Sequence, residues 1–249
     1  MTLPAPSAAA VAALAPTGTL RAAINLSNFL LVTGKTDEGN PAGVSPDMAA
    51  ALADRLGVGL ELLRYKTPAA VADDSGTGAW DVGNIGAEPQ RAKEIDFTAA
   101  YCEIEATYLV RGDSDITSIE QVDQPGRTIV CPARSAYGLW LERNITKAEL
   151  IQVEGLGGAF EAFVEQGIDV LSGLRPGLLG DAEKLPGSRI LDGRFTAVQQ
   201  AMGTPKGRDA AGFDYLQTFV EAAKSEGLVA GFIDRHEVRG LSVAPPADG

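Results

Sequence analysis

WDVGNIGAEPQRAKEIDFTAAY, residues 80–101, packs a strand, a turn and the approach to a second strand into one run of chain. Residues 81–85 are a short apolar segment broken by glycine, the pattern of a buried strand. Pro89 suits the first turn of a helix, and Arg91, two residues on, then sits near that helix start. The helix dipole disfavours a cation there, so Arg91 is expected to face an anion held close to the same amides. Residues 102–110 read as a long strand leading away.

Composition sets the outer limits. With 249 residues, 45% hydrophobic and 22% charged, the chain suffices for one large domain or two lobes of roughly 100 residues each. A formal net charge of -12 argues against nucleic acid or an anionic membrane surface as partner, because each requires a basic face. Small molecules and proteins remain. No apolar run approaches the roughly 20 residues of a membrane span. The start, MTLPAPSAAAVAALAPTG, has no Lys or Arg ahead of its small and apolar residues, so it lacks the charged opening of a signal peptide. A processed or degenerate leader and a cytoplasmic protein both stay open. Cys102 and Cys131, the only cysteines, fall in different lobes of the reading below. No disulfide is expected, and two free thiols lean toward a reducing compartment.

Before the opening run, 20–26 reads as a first strand and 33–43 as a polar loop. Ser45-Pro46-Asp47 starts a helix whose Met48, Leu52 and Leu56 line one face and which Gly57 stops. A strand at 58–65, a short helix at 67–72 and a polar turn at 73–78 follow. Beyond the run, past the turn Gln124-Pro125-Gly126, strands 128–131, 149–153, 168–172 and 189–191 alternate with helices 135–144, 156–166 and 175–184. Such alternation marks a mostly parallel sheet covered on both faces. Tyr137, Trp140 and Leu141, like Phe160, Phe163 and Val164, are spaced to enter a core. Residues 195–202 form a return strand and 203–207 a turn. Residues 209–225 form an amphipathic helix with Leu216, Phe219, Val220 and Ala223 inward, and 228–233 a last short helix. Residues 1–17 and 244–249 read as flexible ends.

The order of these motifs resembles the extracytoplasmic solute-binding proteins of family 3, receptors that deliver polar amino acids to ABC importers. Gly43-Val44-Ser45-Pro46-Asp47-Met48 with Leu56-Gly57 matches the family's Gly-x-x-x-Asp-Leu helix ending in Leu-Gly. Glu88-Pro89-Gln90-Arg91 stands for its Thr-x-x-Arg turn, and Phe97-Thr98-Ala99-Ala100-Tyr101 for Phe-Ser-x-Pro-Tyr. The arginine is kept; the threonine is not. The resemblance runs from about residue 18 to residue 236. It implies an α/β, two-lobed periplasmic-binding-protein-like fold of type II, with mostly parallel sheets flanked by helices. Lobe 1 would comprise 18–110 with 197–236, lobe 2 would comprise 111–196, and hinge crossings would lie at 108–112 and 192–196. A cleft that closes on a small solute is the implied site.

By the same resemblance, Arg91 anchors the solute carboxylate through a bidentate pair, and Asn84 and Gly86 contact that carboxylate. Asn25 and Asn28 align with positions touching the solute side chain, and Ser135 with the lobe-two threonine that caps the carboxylate. Each has a plainer reading: a salt bridge from Arg91 to Glu88 or Glu94, turn residues at Asn25 and Asn28, an N-cap at Ser135. The acid that pairs the ligand ammonium in family members specific for amino acids is missing, because Ile168 to Gly173 is followed by Leu174 and Arg175. With Arg134 beside Ser135, the cleft wall then reads as cationic, which favours a dianionic or amine-free acid.

His236 is the only histidine and reads as a surface residue of the terminal helix. A Ser-His-Asp arrangement or a His-based metal site therefore lacks material, and no nucleophile elbow, phosphate loop or paired-cysteine spacing appears. No metal and no cofactor is expected. Some proteins of this fold are cyclohexadienyl dehydratases, which keeps Glu88, Glu103 or Glu105 in view as a general acid. The expectation is a monomeric, non-catalytic protein that binds a small-molecule carboxylate ligand. It would serve an ABC permease if exported and be periplasmic by resemblance. The alternative is a signal-less cytoplasmic relative acting as a dehydratase-like enzyme or a sensor.

Overall fold

The structure, a computed structural model, describes residues 4–247. It comprises two compact units, Met1–Glu103 with Gln199–Gly249, and Ile104–Val198. The first opens on helix α1 (Ala8–Leu14), whose N-cap Ser7 accepts from the Ala10 amide at 3.1 Å. An alanine-rich run behind a serine cap has high helix propensity. Leu14 and Ala10 are buried, so residues 8–14 are not the flexible lead that their composition suggests.

Strand β1 (Thr19–Asn25), the short strands β2 (Gly34–Lys35) and β3 (Pro41–Ala42), helix α2 (Val44–Leu56), strand β4 (Gly59–Tyr65), helix α3 (Pro68–Asp73), strand β5 (Val82–Gly86) and strand β6 (Ile95–Val110) follow. In α2, Met48, Leu52 and Leu56 are buried, and Gly57 ends the helix at φ 69°. Gly43 precedes it at φ 148°, where a Cβ would lie 2.3 Å from the Leu31 carbonyl oxygen, so glycine alone fits. Strand β1 lies parallel to both β4 and β5, with Ala22 opposite Leu62 and Val82. All of β5 is buried, as the glycine-broken apolar pattern of a buried strand predicts.

The second unit holds strand β7 (Thr128–Pro132), helix α4 (Ala136–Asn144), strand β8 (Glu149–Val153), helix α5 (Gly155–Glu165), strand β9 (Val170–Leu174), helix α6 (Arg175–Lys184) and strand β10 (Arg189–Ile190). Strand β7 is parallel to β8 and β9, and β9 runs antiparallel to the second half of β6, Ala106 opposite Leu174. Tyr108, Ile129, Tyr137 and Leu141 fill one core, and Leu109, Val130, Phe163 and Leu171 another. Val164 does not join them: it is 39% exposed, because α5 turns Ala159, Ala162 and Phe163 inward instead.

Strand β11 (Thr196–Pro205) returns the chain, antiparallel to β5 with Gln200 opposite Gly86. Helices α7 (Ala210–Ser225) and α8 (Leu228–Arg235) and strand β12 (Ser242–Val243) complete the first unit. The units change over at 103/104 and 198/199 rather than at 110/111 and 196/197, because β6 is one unbroken strand whose latter half belongs to the β9 ladder. The tail is held as well. Val243 pairs with Cys102, the Ala244 amide donates to Tyr101 O at 3.1 Å, and Lys224 Nζ donates to Pro245 O at 2.8 Å. The disordered reading of 244–249 therefore fails for 244–247, while residues 1–3 and 248–249 lie outside the described residues. His236 caps α8 with its imidazole 2.9 Å from Asp47 Oδ2, partly covered rather than on the open surface. No described helix is long and apolar enough to cross a membrane.

One carboxylate ties the first unit together. Asp81, fully buried, accepts from Arg21 N and Nε at 3.0 Å and from Arg21 Nη2 at 2.8 Å. Arg208 Nη2 lies 2.8 Å from Oδ1, the oxygen that also accepts from Arg21 Nη2. Arg208 also donates to Ala13 O at 2.8 Å and Trp80 O at 3.1 Å, and Thr204 Oγ1 donates to Asp81 O at 3.0 Å. Burial alone would raise the carboxyl pKa, but the Arg21 and Arg208 hydrogen bonds more than offset this and hold it below its ordinary value. A depressed folded pKa contributes stability above the unfolded aspartate value, about 3.9, that is lost as pH falls toward the folded one. Asp81→Asn is expected to lower unfolding free energy at pH 7 by about 3–5 kcal/mol. Urea melts should also show it losing less stability than the parent between about pH 4 and pH 2.

Candidate functional site

In the first unit the candidate site is built on the exit of β5. The chain leaves Gly86, passes Ala87-Glu88-Pro89-Gln90, and makes one 3-10 turn at Arg91–Lys93. The sequence predicts a helix start here, and the structure provides a single turn, closed by the Ala92 amide on Glu88 O at 2.9 Å. Pro89 fixes φ at the turn and offers no amide to continue β5. Ala87 N donates to Gln199 O at 2.8 Å, which anchors the start of the loop to β11. Arg91 is only 5% exposed, and its Nη1 donates to Gly86 O at 2.7 Å. The carbonyl at the strand end thus aims the guanidinium, and the sequence pair Gly86 and Arg91 is brought together.

Asn84 is placed elsewhere. Its Nδ2 donates to Ser45 O at 3.0 Å, so the side chain faces the first turn of α2, inside the core. There Asn84 Oδ1, Ser45 Oγ and Tyr101 Oη are buried without a hydrogen-bond partner in the protein. Tyr101 Oη faces Ser45 without reaching full bonding geometry, and burial pushes its pKa well above the ordinary value. Asn25 and Asn28 do turn work at the end of β1. Asn25 Oδ1 accepts from Ser27 N at 3.2 Å and Ser27 Oγ at 2.8 Å, and Asn28 Oδ1 accepts from Leu30 N at 3.2 Å. Phe29, in the same loop, is 46% exposed, a large apolar surface that composition alone does not mark.

The second unit carries the other three candidates. Ser135 caps α4, its Oγ accepting from Gly138 N at 3.0 Å and donating to Pro132 O at 2.9 Å. The hydroxyl is spent on the helix and on the strand before it. A Cβ on Gly138 would lie 2.7 Å from Pro132 O, so this first turn packs directly on the end of β7. Arg134 is exposed and holds φ 55°, a left-handed conformation that a residue with a Cβ adopts only under local constraint. Arg175 opens α6 and donates from Nε to Glu105 Oε2 at 2.9 Å, with Nη2 on Gly193 O. Arg194 lies 3.7 Å from the same carboxylate. Arg175 is therefore matched by an acid, and the cationic wall read from the sequence loses one of its two charges. Glu103 accepts from Gln199 Nε2 at 3.0 Å. Among the described residues no group of three or more His, Cys, Asp or Glu is arranged to hold a metal.

The family model of bacterial extracellular solute-binding proteins, family 3, matches residues 27–236. The chain belongs to this family. The solute-binding chain is 26% identical over 125 residues to the glutamine-binding protein of Geobacillus stearothermophilus, a match covering 50% of the chain and 47% of the relative. It thus spans about half the length of that curated relative. Among solved structures, the ancestral amino acid-binding protein AncCDT-1, a precursor of cyclohexadienyl dehydratase, superposes with TM-score 0.72. It is 22% identical, with 92% of this chain and 99% of that one covered. The amino acid ABC transporter substrate-binding protein AbpA of Streptococcus pneumoniae, bound to L-arginine, gives TM-score 0.70 at 19% identity, covering 91% and 99%. These likenesses establish the fold.

The spent hydroxyl of Ser135 has a measurable consequence. Ser135→Ala should cost about 1 kcal/mol of stability, the usual worth of an N-cap. Chemical denaturation of the ligand-free protein checks it.

Proposed function

We propose that this solute-binding protein takes up a small carboxylate-bearing solute by pairing its carboxylate with Arg91, and that it delivers the solute outside the cytoplasm to an ABC permease. The observation that carries the reading is the guanidinium of Arg91, nearly buried and pinned through one nitrogen to Gly86 O. A buried guanidinium with a fixed plane is preorganised for a bidentate carboxylate, so less rotamer entropy is lost on binding. The relatives, a glutamine-binding protein and an amino acid ABC transporter substrate-binding protein, support an amino acid or a related acid as solute. Binding is proposed to be reversible and non-catalytic, in a monomer. Glu103 is hydrogen-bonded to Gln199, and Glu105 is ion-paired to Arg175, which gives neither carboxyl the apolar isolation that makes a general acid.

A thermal-shift screen of the twenty common L-amino acids and of small mono- and dicarboxylic acids identifies the solute, because a ligand of the folded state raises the melting temperature. Mass spectrometry of the released solute should find it unchanged. Calorimetry then tests the anchor. Arg91→Ala should lose about 3–5 kcal/mol of binding, more than a hundredfold. Arg175→Ala, already paired on the surface with Glu105, should lose less than about tenfold. Parent-like affinity in Arg91→Ala would falsify the reading.

A further inference from the structure

We propose that the first unit encloses a water-binding site, in which one buried water molecule bridges Ser45 Oγ, Asn84 Oδ1 and Tyr101 Oη. Three elements far apart in sequence bring these atoms together: the first turn of α2, the middle of β5 and the middle of β6. Ser45 is their meeting point. The Asn84 amide donates to its carbonyl at 3.0 Å, and Tyr101 Oη faces its hydroxyl short of full bonding geometry. All three side-chain oxygens are buried, and none has a hydrogen-bond partner in the protein. The backbones beside them are committed elsewhere, Ser45 N donating to Leu31 O and Tyr101 O accepting from Ala244 N, each at 3.1 Å. What converges here is therefore side-chain hydrogen-bonding capacity alone.

The chemistry of the three atoms selects the guest. Burial pushes the Tyr101 phenol well above its ordinary pKa, so it keeps its proton, and serine and asparagine carry no charge. A metal ion or an anion held by this neutral trio would be a buried charge without a counter-charge, which is strongly disfavoured. A neutral molecule that both donates and accepts is required. Each hydroxyl can donate one proton, whereas Asn84 Oδ1 only accepts. A water that accepts from Ser45 and Tyr101 and donates to Asn84 satisfies all three. Buried waters typically make about three such bonds to groups left without partners. Ser45, Asn84 and Tyr101 are 2%, 1% and 0% exposed, so the water exchanges only when the surrounding structure opens. It would fasten β5 to α2 and β6 two residues before Gly86, whose carbonyl aims Arg91.

A crystal structure of the ligand-free full chain, at a resolution that orders internal waters, tests the site directly. One density peak is expected about 2.7–3.0 Å from each of the three oxygens. In solution, oxygen-17 magnetic relaxation dispersion counts long-lived internal waters. Ser45→Ala combined with Tyr101→Phe removes two of the three partners with little change of shape and should lower that count by one. The inference is overturned if the three side chains bond directly to one another with no peak between them. A peak at the roughly 2.3–2.6 Å of a cation such as calcium overturns it too, as does a folded double variant whose count equals the parent's. Should the double variant fail to fold, the density of the parent decides.

Discussion

The buried Asp81 carboxylate is the constraint on which the first unit depends. It sits at the entrance to β5 and receives a bidentate guanidinium from β1, with a second guanidinium from the segment between β11 and α7. Because Arg208 also reaches Ala13 O, the same charge fixes α1. A Cβ on Gly212 would come within 2.7 Å of the Ala13 Cβ, which shows how closely α7 meets that helix. A buried carboxylate costs several kcal/mol unless its lone pairs are filled, and here both oxygens are. The arrangement specifies register more than it adds stability: a slip of β5 by one residue would turn Asp81 away from Arg21 and Asn84 out of the core. Register matters because the far end of the same strand delivers Gly86, whose carbonyl aims Arg91.

The site thus gains precision from backbone rather than from long side chains. Gly86 O and the turn closed on Glu88 O belong to the strand exit and to one 3-10 turn, and both move only if β5 moves. The polar set of Asn84, Ser45 and Tyr101 serves the same end from the middle of the strand. It links β5 to the first turn of α2 through the Asn84 amide, while its remaining polar atoms, buried and unsatisfied within the protein, are a cost that the proposed water offsets.

Much of this was legible from residue types at fixed spacing. Met48, Leu52 and Leu56 with Gly57 define α2, and Leu216, Phe219 and Val220 define the buried face of α7. Arg91 after a buried strand marks the anion candidate. What was not legible depended on partners distant in sequence. Nothing near Asp81 announces Arg208, and its local reading as part of an apolar run hides a charge. Asn84 falls at a ligand-contact position only by resemblance, yet its side chain points at the first turn of α2. Ala8–Leu14 and the tail at 244–247 lack large apolar residues except Leu14, so composition reads them as loose. Docking on α7 and pairing with β6 hold them instead. The reading of the cationic wall was incomplete for a related reason: Arg175 was seen without Glu105, 70 residues earlier.

Charge also acts before contact. With 33 acidic side chains against 21 basic ones, the chain carries a net -12. Many of its arginines, among them Arg21, Arg91, Arg111, Arg175, Arg189 and Arg208, face carbonyls or carboxylates of the protein itself. Outward, the field is therefore negative, reaching about 8 Å at physiological ionic strength. A dicarboxylate approaching such a surface is repelled and its encounter rate falls, whereas a zwitterion, with no net charge, pays no such penalty. Discrimination between the two would begin in solvent, before the solute reaches Arg91.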